Sequence, residues 1–207
     1  MNKLLVGFEN IHFAPIKEDG TFGTPIRIEN GRSFESELEY EATADWADNK
    51  IVSQASYFKG GKFNIKFLGI NADEYSLLFG AKRCAGGYSV SENDISPTGA
   101  WLFEQKKKGS EHKKLSVIYC GVANPSKTAA ESIIDGKAEA KEFEITGSVG
   151  SYIHSNGDSY IEFNIETDDN TVIKEQIDNW YTDVQFPREV VLNTPTQPVQ
   201  NGNIEED

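Results

Sequence analysis

Two cysteines, one methionine and three histidines in 207 residues leave little material for thiol or metal chemistry. Cys84 and Cys120 stand in no CxxC and in no Cys/His cluster of metal-ligand spacing, so two free thiols in a reducing compartment are expected. His12, His112 and His154 are isolated, with no HExxH and no pair at i and i+4. GxSxG and GxxxxGK[ST] are absent, and Gly60–Gly61 and Gly86–Gly87 lack the strand–loop–helix context of a phosphate cradle. No run approaches the roughly 20 apolar residues of a membrane span. Glu9 and His12 interrupt the apolar start where a signal peptide needs a longer core, so neither insertion nor export is expected.

Positive charge is also in deficit. Twenty Lys and Arg against 33 Asp and Glu give a formal charge of −13, a field that repels phosphate backbones and anionic lipid. The one basic cluster, Lys106, Lys107, Lys108, Lys113 and Lys114, falls between the apolar segments at Phe103 and Leu115 and reads as a solvated hairpin turn. Carboxylates are abundant, yet nothing selects two of the 33 as an acid and base across a cleft. Residues 45–48 and 168–170 match no EF-hand and read as turn and helix cap. No enzyme, metal or cofactor is signalled.

What is present is strand. Leu4 to Ile16 carries Phe8, Ile11 and Phe13 ahead of a Gly- and Pro-containing turn. In residues 34–41, Phe34, Leu38 and Tyr40 alternate with Glu35, Glu37, Glu39 and Glu41, a period of two. Residues 44–50 (ADWADNK) break the alternation and Ile51 to Phe58 resumes it, predicting a long hairpin that ends in a long loop. Phe63, Ile65 and Phe67 alternate with Lys62, Asn64 and Lys66. A short helix capped by Asn71 or Asp73 follows, with Tyr75, Leu78 and Phe79 inward and its end at Gly80.

Leu115 to Val122 is nearly all apolar, as in a strand covered on both sides. Lys127 to Asp135 is either helix or loop. Lys137 to Val149 and Tyr160 to Thr167 read as strands, with a hairpin turn at the intervening SNGD. Thr171 to Tyr181 has helical spacing, with Asp168, Asp169 and Asn170 as caps. The expected domain covers residues 1–192, and 193–207 form a flexible acidic tail.

Residues 6–15 (VGFENIHFAP) resemble the opening of the major tail proteins, or tail tube proteins, of long-tailed, non-contractile bacteriophages. The order of elements is similar too: N-terminal strand, acidic strand pair with a long loop, small helix after glycines, further strands and an irregular tail. The resemblance implies a mainly β fold, a β-sandwich or barrel-like core with one or two short packed helices and a long assembly hairpin. It also implies a structural virion protein, assembled in the bacterial cytoplasm, whose hexameric rings stack into a tube for genome delivery. Its partners would be itself and the tape-measure, tail-tip and tail-terminator proteins, with DNA passing through the lumen without sequence-specific binding.

Phe8 and Phe13 in the N-terminal arm, and Trp46, Tyr57 and Phe58 beside the long loop, are then candidate contacts between subunits. Ordinary core or hairpin packing accounts better for Tyr57 and Phe58, but not for Trp46. Glu35, Glu37, Glu39 and Glu41 face either the lumen, where they would repel DNA, or the outer surface. A hexamer would carry six times −13, or −78, so salt should promote assembly. The alternative from another class is a β-sandwich carbohydrate- or ligand-binding module using Trp46, Trp101 or Trp180 as a stacking platform.

Overall fold

A computed structural model describes residues 3–124 and 142–189 and is mainly β, with two short helices. The strands are β1 (Leu5–Pro15), β2 (Ile26–Arg27), β3 (Gly31–Ala47), β4 (Lys50–Phe67), β5 (Lys82–Cys84), β6 (Gly87–Ser89), β7 (Thr98–Lys107), β8 (Lys113–Asn124), β9 (Phe143–Gly150), β10 (Tyr152–Ile153), β11 (Ser159–Tyr160) and β12 (Glu162–Glu166). The helices are α1 (Ala72–Phe79) and α2 (Lys174–Asp178). The helix-or-loop segment 127–135, the start of the strand expected from Lys137, and the tail 193–207 lie outside the described residues.

One antiparallel sheet runs β2-β1-β7-β8-β9-β4-β3, with β12 also paired to β8. Its two outermost strands, β2 and β3, are joined by Ile28, Glu29 and Asn30 alone, so the sheet must curl until its edges meet. The Ile28 N–H donates to Ile11 O (2.9 Å) and the Leu68 N–H to Asn30 O (3.0 Å), which pins the curl. Inside it the aromatic rings form a continuous ladder. Phe8 meets Phe103 (5.6 Å between centroids), Phe103 meets Phe34 (4.4 Å), Phe34 meets Phe63 (5.9 Å), Phe63 meets Trp101 (5.5 Å), and Trp101 meets Phe13 (4.7 Å). Gly121 leaves room for this: a Cβ there would lie 2.6 Å from Trp101 Cδ1. Phe13 is therefore a fully buried core residue, a correction to its reading as a contact between subunits, and Phe8 is half-buried in the same ladder.

α1 covers one end of this core through Leu78 and Phe79. The Asn71 side chain accepts from the Asp73 and Glu74 N–H groups while Glu74 accepts from the Asn71 N–H, a complete capping box, and Gly80 closes the helix with φ 70°. The second helix is shorter than the spacing predicts. Only Lys174–Asp178 is α-helical and Ile173, without a side-chain cap, stands at its N-terminus, because Asp169 spends its carboxylate on the Thr171 N–H and hydroxyl.

The second core lies on the outer face of β7 and β8, where Ala100, Leu102, Val117 and Tyr119, flanked by Ile165 of β12, pack with the segment around Trp180. Tyr119 donates its hydroxyl to Gln185 O (2.7 Å), and Gln176 Nε2 donates to Phe186 O (2.7 Å). β8 is thus covered on both faces, as its apolar run predicts. The SNGD turn does form a hairpin, but between β10 and β11; β9 and β12 never pair with each other, and both pair with β8.

The lysine-rich turn is only partly solvated. Lys107 is 2 % exposed and donates to Glu166 (2.6 Å) and to Asp168, while Lys113 donates to the buried Glu104 (2.7 Å). Glu104 also accepts from Asn10 Nδ2 (2.8 Å) and from the Tyr181 hydroxyl (3.1 Å). The His12 ring stacks on Tyr181 at 4.3 Å, with Nδ1 2.8 Å from Asn10 O. Burial, with Arg27 adding to it, holds His12 below the ordinary imidazole pKa, against the Asn10 carbonyl and Glu104, which pull the other way. A lowered folded pKa means the unfolded chain binds the proton more tightly. Stability is therefore complete above about pH 6.5 and falls as the pH drops from there through the folded value. Urea unfolding between pH 8 and 5 should show a flat upper plateau and then a decline, and His12→Gln should remove the first part of that decline; an unchanged profile in the variant would contradict this assignment.

Candidate assembly surface

β3 and β4 are far longer than the sheet that holds them. β9 pairs with β4 only from Gly61 to Phe67, so from Tyr40 out to the turn and back to Phe58 neither strand has another neighbour among the described residues. At about 3.3 Å per residue, the eight residues 40–47 project roughly 26 Å. Gly61 marks the departure point, where a Cβ would lie 2.8 Å from Glu37 O and 3.2 Å from Val149 Cβ. Close packing at the base thus requires glycine, and a register shift at Lys59 adds twist there.

The ribbon ends in a two-residue turn, Asp48 and Asn49, with φ 51° and 61°. Both central residues in the left-handed region define a type I′ hairpin turn, for which Asp and Asn are suited. The long loop expected at 44–50 is therefore a correction: Ala44 to Ala47 remain strand, and the broken alternation reflects a second register shift between Asp45 and Trp46 that leaves Val52 as the extra residue.

Cross-strand partners share a face, and the face of Tyr40 is the one that carries Leu38 and Phe34 into the core. Tyr40, Ala42, Ala44 and Trp46 on β3 meet Phe58, Ser56, Gln54 and Ile51 on β4, so this face holds no charged side chain over its whole length. It continues the core-facing surface of the sheet into solvent with nothing over it among the described residues. Trp46 is 67 % exposed, Tyr40 57 % and Ile51 50 %; Phe58 is half-buried by its edge contact with Tyr40. The opposite face pairs Glu41 with Tyr57, Thr43 with Ala55 and Asp45 with Ser53. Tyr57 is exposed, so hairpin packing does not cover it.

The four glutamates share the outer face of the sheet with Lys62, Asn64 and Lys66. Glu39 accepts from Lys62 (2.8 Å) and Glu41 lies 3.4 Å from Lys59, while Glu35 and Glu37 have no ion pair among the described residues. Lys62 holds the Glu39 carboxyl below its ordinary pKa. The stripe is thus half neutralised by cross-strand lysines. Beside it lies an open groove of about 530 Å³ lined by Glu35, Glu37, Lys62, Asn64, Thr146 and Ser148. Among the described residues no group of three or more His, Cys, Asp or Glu could hold a metal, and no helix is long and apolar enough to cross a membrane.

Tyr40 and residues 51–56 belong to the same ribbon although the sequence pattern singled out only Trp46, Tyr57 and Phe58 there; residues 51–58 read IVSQASYF. The segment's signal was its composition, eight residues without charge, proline or glycine, which is what an unprotected strand edge normally avoids. No family model and no curated protein matches the chain.

Among the described residues no side chain from Tyr40 to Phe58 belongs to either core, so Trp46→Ser should change the unfolding free energy of dilute protein by no more than about 0.5 kcal/mol. Leu38→Ala, two residues inside the base, should cost about 1–2 kcal/mol because it removes half-buried core surface. Urea titrations of both variants check this, and a large loss for Trp46→Ser would mean that the ribbon folds back on its own chain.

Proposed function

We propose that this protein is a structural subunit that self-assembles, and that its product is a tail tube of the long-tailed phage kind, built from stacked rings. One observation carries the reading: a two-stranded ribbon about 26 Å long with an uncharged face and two edges that no other described residue covers. Such a surface exposed on a free monomer is an aggregation hazard unless a partner covers it. A repeated subunit supplies that partner at high local concentration and in fixed register. The VGFENIHFAP opening and the order of elements support the tail-tube form of this reading. No rival reading gains comparable support, since Trp101 and Trp180 are 0 % and 1 % exposed and leave Trp46 alone as a stacking surface.

In this reading the ribbon makes contacts between subunits. The sheet face bearing Glu35 and Glu37 lines the channel, where unneutralised carboxylates keep DNA phosphates from adhering. Cross-strand lysines lower the charge density enough for neighbouring subunits to approach. The −13 carried by each chain still opposes association, so added salt should favour it.

Negative-stain microscopy and light scattering of concentrated protein at about 0.05 and 0.5 M salt test the proposal. The expected result is rings or tubes with an open channel, more abundant at the higher salt. A monomer throughout, at every concentration and salt, would overturn it.

A further inference from the structure

Lys107 is the only buried lysine among the described residues. Lysine is rarely buried without a specific reason, and a buried ion pair is often no more stabilising than apolar side chains of the same volume. The other lysine ion pairs differ in kind. Lys59, Lys62, Lys66 and Lys106 have side chains open to solvent, and Lys113 reaches a single carboxylate, Glu104, which Asn10 and the Tyr181 hydroxyl already share. Lys107 meets two carboxylates at once: Nζ lies 2.6 Å from Glu166 Oε2 and within hydrogen-bond reach of Asp168 Oδ1. The two acids are unequal, with Asp168 16 % exposed and Glu166 48 %.

The backbone is fixed on both sides of this contact. The Lys107 N–H donates to His112 O (2.9 Å), and the Lys107 carbonyl accepts from the Ser110 N–H (3.1 Å). Opposite it, the Thr167 N–H donates to Lys113 O and the Lys113 N–H to the Thr167 hydroxyl, both at 2.9 Å. The Asp169 N–H closes a turn on Glu166 O (3.0 Å). An amine is thus held against a carboxyl group by structure that need not reorganise, the arrangement from which an intramolecular reaction gains most.

We propose that Lys107 and Asp168 condense into an isopeptide bond, with Glu166 as the proton carrier. The Lys107 ammonium passes one proton to Asp168 Oδ1, and the freed electron pair on Nζ attacks Asp168 Cγ. Glu166 takes a second proton from Nζ and delivers it to the departing oxygen. The Cγ–Oδ1 bond breaks, water leaves, and Glu166 returns to its carboxylate form. Ammonium and carboxylate have become a neutral amide and water, with no oxidant or co-reactant. Asp168 and Glu166 hold the lysine above its ordinary pKa, and Lys107 holds Asp168 below its own, so the first proton moves uphill and the bond forms slowly in the folded protein. The cross-link fastens the end of β7 to the segment that leads into α2 and the cover over the second core. It is independent of the self-assembly reading.

Mass spectrometry of the purified full-length chain, fresh and after prolonged incubation at neutral pH, tests this. The expected result is a species that grows with time and is lighter than the sequence mass by one water, about 18 Da. Its tryptic digest should contain one branched product joining the segments around Lys107 and Asp168, because trypsin does not cut after an acylated lysine. Lys107→Arg keeps a cation but removes the amine, and should stay at its own sequence mass. Glu166→Gln keeps the reacting pair without the carrier, and should lose water about a hundredfold more slowly. Aged wild type at unchanged mass overturns the inference, and so does a lost water that maps elsewhere, such as ring closure at Asp19–Gly20. If Glu166→Gln reacts as fast as wild type, the assigned proton route falls. The wild-type mass decides the bond itself, whether or not the variants fold.

Discussion

β8 has one hydrogen-bonding edge left after β7 takes the other, and two strands divide it. β12 occupies residues 114–118 and β9 residues 120–124. Because β12 fills the first half, β9 ends at Gly150, and β4, which depends on β9 for a neighbour, is left alone beyond Gly61. Everything distinctive about the molecule's surface follows from that division. A hairpin whose base is locked into the core by Phe34, Leu38, Phe63 and Ile65 is forced to continue as a free ribbon, still wearing the side chains of a core-facing strand. The same division lets the segment after β12 fold over the outer face of β7 and β8, with Ile165 of β12 beside Leu115 on that face, so the molecule has a firm double-sided centre from which the ribbon projects.

Much of this was legible in the chain. Period-two alternation at 34–41 and 63–67, the continuous apolar run from Leu115 and the Asn71 to Gly80 helix signals all depend on neighbours close in sequence, and all appear where the pattern puts them. Failures came where a long-range partner decides. Nothing local says that β9 and β12 share β8, or that Phe13 faces Trp101 inside the curl and not a neighbouring subunit. Asp45, Asp48 and Asn49 looked like a loop because a register shift and a two-residue turn interrupt alternation as effectively as a loop does. The glutamate stripe was visible, but the lysines that neutralise half of it sit 18 to 23 residues away on the returning strand.

Polar residues serve the same design. Buried Glu104 gathers Asn10, Lys113 and Tyr181, joining β1, β7 and β8 to the segment after α2, and Lys107 ties the β7 end to Glu166 and Asp168. Charge that would be costly if unpaired is satisfied within the chain. The ribbon is different in kind, because one of its faces exposes only uncharged side chains, Tyr40, Trp46 and Ile51 among them, and its backbone edges are open among the described residues. In a protein whose other features act to complete the fold, the ribbon acts to leave it incomplete, and this is the physical basis for proposing assembly as the function.

Hydrogen exchange along the β4 half of the ribbon, compared in dilute and concentrated solution, measures that incompleteness directly. The account predicts that amides of residues 51–58 exchange readily in dilute protein and gain at least about tenfold protection on concentration, while amides of β7 and β8 are protected throughout. Equal exchange of the ribbon at both concentrations, with assembled particles present, would contradict the claim that the ribbon is the surface through which copies of this protein associate.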